Sequence, residues 1–247
     1  MTREGGIRIA IAGLAAIIGL GGAASALRSG DTVKTTDRAA IEKIVREYIL
    51  SHPEILPEAM QNLQARELSK TVIANRKAIE TPFAGAWEGA QDGDVVLVEF
   101  FDYACGYCRT SIADIERLLL EDKKLKVVYR EMPVLGQTSD DAARVSLSAA
   151  KQGKYMAFHK AMFAAGRPSS AVIDSAQDKS GMDKAQSRDD IKSTDIESEL
   201  NKSAELQRAL QLSGTPSWVV GDKVMVGAVG YDALKAAIAE ARAAKKG

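Results

Sequence analysis

The feature that most constrains this chain is the stretch Val95–Arg109, VVLVEFFDYACGYCR, where an apolar run ends at Cys105-Gly106-Tyr107-Cys108 and a helix-forming sequence follows. Val95–Phe101 is too apolar and β-branched for a surface strand, and reads as a central strand covered on both faces. Cys105 and Cys108 are the only two cysteines in 247 residues, so they pair with each other or react with something outside the chain. A disulfide closing so short a loop adds little stability, because the loop-entropy benefit grows with loop length. Its constrained geometry instead favours reduction. The pair is suited to exchange rather than to stapling.

Cys105 falls where strand gives way to helix, so free backbone N–H groups and the helix dipole point at its sulfur and favour the thiolate. That makes Cys105 the expected exposed nucleophile, and Cys108, one turn further in and more buried, the thiol that resolves a mixed disulfide. Two cysteines at this spacing also occur as zinc half-sites. Zinc takes four ligands, and the chain offers only His52 and His159 besides, each of which reads as structural. No metal and no cofactor is expected. Glu99 is the odd residue of the apolar strand. It either faces outward at a sheet edge or, turned inward, has its pKa raised by desolvation and accepts the proton of Cys108. Asp102 and Tyr103 shape the strand-to-helix turn.

On either side of this unit the organisation is simple. Residues 1–26 carry Arg3 and Arg8, an apolar stretch Ile9–Leu20 and a small-x-small Ala24-Ser25-Ala26, the pattern of a cleaved signal peptide. The alternative is a retained inner-membrane anchor. Either way the folded part is exported, to a periplasm where disulfides persist. Residues 28–36 read as a linker. Residues 37–80 form two helices with apolar stripes (Ile41, Ile44, Val45, Tyr48, Ile49, then Met60, Leu63, Leu68, Val72, Ile79), broken at His52-Pro53. They have no sheet of their own and must bury their apolar faces on the following domain or on another subunit. The favoured boundaries are an N-terminal helical oligomerisation segment over 27–80 and a catalytic domain over 81–247, associated as a dimer or trimer, and the alternative is packing within the monomer. Lys plus Arg and Asp plus Glu balance at 33 each, which removes the electrostatic case for nucleic acid or an anionic membrane as partner.

Within 81–247 the reading is a short edge strand over 82–87, the central strand, a helix over 106–121 and a strand over 125–130. A helical insertion follows over about 133–213, with helices over 142–150, 154–164, 172–180 and 190–212. Ser217–Val220 and Lys223–Val226 then make a hairpin around Gly221-Asp222, and Tyr231–Ala244 closes as an amphipathic helix. This is the α/β order of a thioredoxin-like fold with an inserted helical domain.

VEFFDYACGYC, the insertion and SGTPSWVV together resemble the DsbA-type thiol–disulfide oxidoreductases of bacterial envelopes. REYILSHPEIL resembles the N-terminal segment of the subgroup related to the copper-sensitivity suppressor ScsC. The resemblance covers 37–247. It implies a carboxylate at Glu99 serving the tetrad and a cis bond before Pro216. Thr215 and Pro216 would then bind an extended substrate segment by backbone pairing. Gly106-Tyr107 within the tetrad and Thr215 before the proline look like the isomerase DsbC rather than the strong oxidases. The resemblance therefore implies an isomerase or reductase that reshuffles disulfides of envelope proteins and is kept reduced by a DsbD-like membrane protein. The alternatives are a DsbA-like oxidase kept oxidised by a DsbB-like partner, and a thiol protein that sequesters Cu(I), which soft thiolates bind well.

Overall fold

The computed structural model describes residues 35–245. The signal peptide or anchor over 1–26 lies outside the described residues, as does most of the expected linker. The chain divides after Leu56 into two units. The first contains helix α1 (Thr35–Ser51), whose Ile41, Ile44, Val45 and Tyr48 are all exposed. The His52 amide hydrogen-bonds the Tyr48 carbonyl as the helix ends before Pro53.

Helix α2 (Ile55–Glu80) leads into the second unit. Five strands follow: β1 (Trp87–Gly89), β2 (Val95–Phe101), β3 (Leu125–Glu131), β4 (Ser217–Val220) and β5 (Lys223–Val226), in the order β1-β3-β2-β4-β5. β2 and β3 are parallel, joined through helix α3 (Gly106–Glu121), and the other pairs are antiparallel. The edge strand lies later than the 82–87 reading, because Trp87–Gly89 is the stretch that pairs with Lys126–Val128.

β2 is covered on both faces, as its composition demands. Val95, Leu97 and Phe101 join Ile115 and Leu118 of α3 and Leu234 and Ile238 of helix α9 (Tyr231–Ala244). Val98 and Phe100 join Val72 and Ile79 of α2 with Leu206, Leu210 and Leu212. Between β3 and β4 run α4 (Gln137–Lys151), α5 (Tyr155–Ala165), α6 (Ser170–Ser180), α7 (Lys184–Asp190) and α8 (Thr194–Ala209). The helix expected over 190–212 is α8, which starts later and ends earlier, and the short α7 before it had no counterpart in the sequence reading. Asp183 caps α7 through the amides of Ala185 and Gln186, and the Asp190 carbonyl accepts the Ser193 amide to end it. Side-chain capping of this kind satisfies the orphan donors that a helix start leaves.

The division expected at 80/81 also shifts. Arg130 of β3 is buried, and its guanidinium donates to the carbonyls of Ala78, Ile79 and Thr81 at the end of α2 while pairing with Glu199 of α8. Val72 and Ile79 are in the core. Each such side chain contributes about 1.5–3 kcal/mol by burial, so the second half of α2 belongs to the catalytic unit. Leu56, Met60 and Leu63 earlier in the helix are exposed, as is Ile73 on the face turned away from the sheet.

Candidate active site

β2 delivers the chain to the site, and a tight turn of Asp102, Tyr103 and Ala104 passes it into α3. Asp102 is buried and its carboxylate is fully used. Oδ1 accepts the Ala104 amide at 2.7 Å, and Oδ2 accepts the amides of Val134 and Leu135, both at 2.9 Å. One side chain thus holds both the turn before Cys105 and the loop after β3.

Cys105 is the N-cap of α3, with extended φ −80° and ψ 118°. Its sulfur accepts the Cys108 amide at 3.4 Å, and its thiol donates to the Thr215 carbonyl at 3.2 Å. Both cysteines are free thiols. The expected exposure of Cys105 needs correcting: it is 6 % exposed, against 1 % for Cys108. The segment around Thr215 lies over it, which no local pattern near the tetrad encodes. The solvent-facing residues of the tetrad are Gly106 and Tyr107, the latter 68 % exposed. Gly106 has open space where a Cβ would sit.

The Thr215–Pro216 peptide bond is cis. Ser217 Oγ donates to the Gly214 carbonyl at 2.6 Å and Trp218 Nε1 to the Gly227 carbonyl at 3.0 Å, which fix the approach to β4. Leu97–Phe100 of β2 pair with Ser217–Val220 of β4, so the Thr215 loop and the tetrad emerge at the same end of adjacent strands.

Glu99 faces inward. It is 2 % exposed and its Oε1 has no hydrogen-bond partner among the described residues. Burial pushes its carboxyl well above the usual range, and the Cys105 sulfur and Glu88 add to the rise. Cys108 is likewise pushed up by burial first and by Glu99 second. The Cys108 thiol and the Glu99 carboxyl therefore both resist ionising, and a charge on Glu99 opposes one on Cys108.

Sequence reasoning missed the depth of this buried polar region. Glu131, at the end of β3, is also buried with Oε1 unpartnered. The Tyr103 hydroxyl is within 2.8 Å of Ser146 Oγ and 3.2 Å of His159 Nδ1. Burial lowers His159 to about 3, so its ring is neutral. The expected helix-face role of His159 is a structural one, and the ring is packed among aromatic side chains. Glu131 had a signal, since LKVVYRE ends in two adjacent charges after the apolar run Val127–Tyr129. Among the described residues, no group of three or more His, Cys, Asp or Glu side chains is placed to hold a metal ion.

Residues 96–239 match the model of the DSBA-like thioredoxin domain. The chain belongs to this DsbA-like family of thiol–disulfide oxidoreductases. Residues 37–67 match a second model, the copper resistance protein ScsC N-terminal domain. Among solved family structures, a thioredoxin-like oxidoreductase from Silicibacter pomeroyi is 37 % identical. The match covers 68 % of this chain and 98 % of that one, with a TM-score of 0.66. A linker-deleted variant of Proteus mirabilis ScsC is 29 % identical over 88 % of this chain and 100 % of that one, with a TM-score of 0.67. The thiol–disulfide exchange protein alpha-DsbA2 from Wolbachia pipientis is 29 % identical over 72 % of this chain and 97 % of that one, with a TM-score of 0.66. No curated protein matches the chain.

Proposed function

We propose that this oxidoreductase is a disulfide isomerase and reductase of the periplasm, acting on misoxidised envelope proteins through Cys105 and Cys108. The observation that carries the reading is Cys105 at the α3 N-cap, with its sulfur beside the Thr215 carbonyl. An extended client segment running along Thr215 would bring a client disulfide onto that sulfur.

In the first step the Cys105 thiolate attacks one client sulfur. A Cys105–client disulfide forms, the client S–S bond breaks, and the second client sulfur leaves as a thiolate. Two outcomes follow. A client thiolate attacks elsewhere and expels Cys105, which reshuffles the disulfide with no net redox change. Otherwise Cys108 gives its proton to ionised Glu99 and attacks the Cys105 sulfur. The client leaves reduced and the Cys105–Cys108 disulfide forms. A DsbD-like membrane reductant then restores the dithiol.

The N-terminal helices support a multimeric form of this enzyme. On α1, Ile41, Ile44, Val45 and Tyr48 are large, apolar and exposed, and so, separately, are Met60 and Leu63 on α2; exposed apolar faces of this kind mark surfaces that associate. Joining copies there would present several dithiols to one client. Export rests on the Arg3–Ala26 pattern and on the relatives. One similar structure is described as a periplasmic thioredoxin-like protein from Salmonella enterica. Among the described residues, no helix is long and apolar enough to cross a membrane.

One observation favours a second reading, a DsbA-like oxidase. A carboxyl that burial biases toward its protonated form, as it does Glu99, is suited to protonate Cys108 when a client thiolate attacks the Cys105–Cys108 disulfide. The test is reactivation of a scrambled multi-disulfide enzyme in glutathione buffer by residues 27–247 and by residues 57–247. Recovery by the longer form, with less by the shorter, supports the isomerase. No recovery by either, with rapid oxidation of a reduced dithiol peptide, overturns it in favour of the oxidase.

A further inference from the structure

The parallel register of β2 and β3 sets Glu99 opposite Tyr129 and Phe101 opposite Glu131. Side chains two residues apart on a strand share a face, so Glu99, Phe101, Tyr129 and Glu131 project together into the core that holds Cys108. Two carboxyls therefore stand on neighbouring strands of one buried face, and Glu131 is only 3 % exposed. The groups around them come from every neighbouring element. Cys105 and Cys108 lie at the start of α3, and Asp102 and Tyr103 in the turn. Glu88 comes from β1, Tyr129 from β3, Ser146 from α4, and Tyr155 and neutral His159 from α5. None of these is a cation.

Among the described residues, Glu99 Oε1 and Glu131 Oε1 have no hydrogen-bond partner, and the Tyr155 hydroxyl lies beside Tyr103 and Ser146 without a well-formed bond to either. Leaving a buried polar atom unpaired is costly. Native interiors resolve such clusters with internal water, which takes two to four polar partners. The register sets the two carboxyls on one face, and the Glu99 charge acts on Glu131. Tyr103 is held in place beside them by Ser146 and His159.

We propose that Glu131 is a positioning residue for the dithiol chemistry, holding with Tyr155 an internal water that hydrogen-bonds Glu99 and stabilises its ionised form. The proposal rests on the exchange reading of Cys105 and Cys108. In the step that Glu131 assists, ionised Glu99 takes the proton of Cys108, and the Cys108 thiolate attacks the Cys105 mixed disulfide. Burial biases the Glu131 carboxyl toward its protonated form, and in that form it donates through the water and keeps the Glu99 charge accessible inside the core. A hydrogen bond to a charged group is among the stronger ones, so losing it moves the proton acceptor to higher pH.

The experiment uses the reduced whole protein and an aromatic disulfide, 5,5′-dithiobis(2-nitrobenzoate). The Cys105 thiolate attacks it, releasing one aryl thiolate and forming a Cys105–aryl mixed disulfide. Cys108 then displaces the second aryl thiolate, and the rate of that second release is followed against pH. Glu131→Leu is expected to move the inflection upward and slow release about tenfold below it. Glu131→Gln keeps an amide donor for the water and is expected to restore the wild-type profile. In a Glu99→Gln background, Glu131→Leu is expected to change nothing further. An unchanged or downward-shifted inflection in Glu131→Leu overturns the proposal, as does an equal effect in the Glu99→Gln background. A wild-type protein that releases no second aryl thiolate overturns both the proposal and the exchange reading beneath it.

Discussion

His159 offers a sharp test of how this core is built. Its ring lies 4.6 to 5.6 Å, centroid to centroid, from Phe101, Tyr103, Tyr129, Tyr155 and Phe163. Burial lowers its pKa from 6.5 to about 3. As pH falls through 6.5 the unfolded chain takes up a proton that the folded chain refuses, so stability is lost progressively down to about pH 3. Linkage puts the loss between pH 7 and pH 5 at about 2 kcal/mol. His159→Phe keeps a ring in the aromatic cage and leaves Tyr103 its Ser146 partner. It costs about 1 kcal/mol for the lost hydrogen bond, independent of pH, and removes the acid-dependent loss. Urea unfolding of both proteins at pH 7 and pH 5, with the dithiol kept reduced, measures the difference. The wild type is expected to lose about 2 kcal/mol more than the variant over that interval. Equal losses would show that His159 is not kept neutral by burial.

Three further outcomes are expected. Residues 57–247 unfold cooperatively near the stability of the whole chain, whereas 81–247 loses at least about 4 kcal/mol, because Val72 and Ile79 leave the core and Arg130 loses the Ala78 and Ile79 carbonyls; urea midpoints of the two fragments check this. Ile44→Asp on the exposed face of α1 converts the proposed oligomer to monomer while leaving single-site exchange intact, read by light scattering of both proteins beside a dithiol oxidation assay. Glu99→Gln is more stable than wild type above pH 4.5, and its advantage grows toward pH 7. The folded Glu99 carboxyl holds its proton above the unfolded value of 4.5, so wild-type stability falls as pH rises from there; urea midpoints at pH 4 and pH 7 measure it.

The parts of this molecule that local chemistry dictates were legible in the chain. An apolar β-branched run before the tetrad can only be an interior strand. The Gly221-Asp222 pair closes the hairpin of β4 and β5, and Glu99 stood out as a charge where none belongs. What escaped depends on packing between distant segments. Cys105 is covered by the Thr215 segment, 110 residues away. Arg130 and Glu131 are adjacent in sequence and lie on opposite faces of β3, yet both are buried. One is paired by the end of α2 and by Glu199, and the other sits behind Glu99. A charge pair at a strand end reads as solvated until the partners on both faces are known. The same interaction moved the N-terminal boundary, since the helical stripe of α2 does not reveal where its apolar face stops meeting the sheet.

The central claim is that Cys105 is the sulfur that meets the client and Cys108 the one that releases it. The direct measurement is trapping. Cys108→Ser protein is incubated with a scrambled disulfide protein, quenched in acid, and the cross-linked species is mapped by mass spectrometry of its peptides. The account predicts accumulation of a covalent complex joined through Cys105, absent in Cys105→Ser. A complex through Cys108 in the Cys105→Ser protein, or none through Cys105, would contradict it.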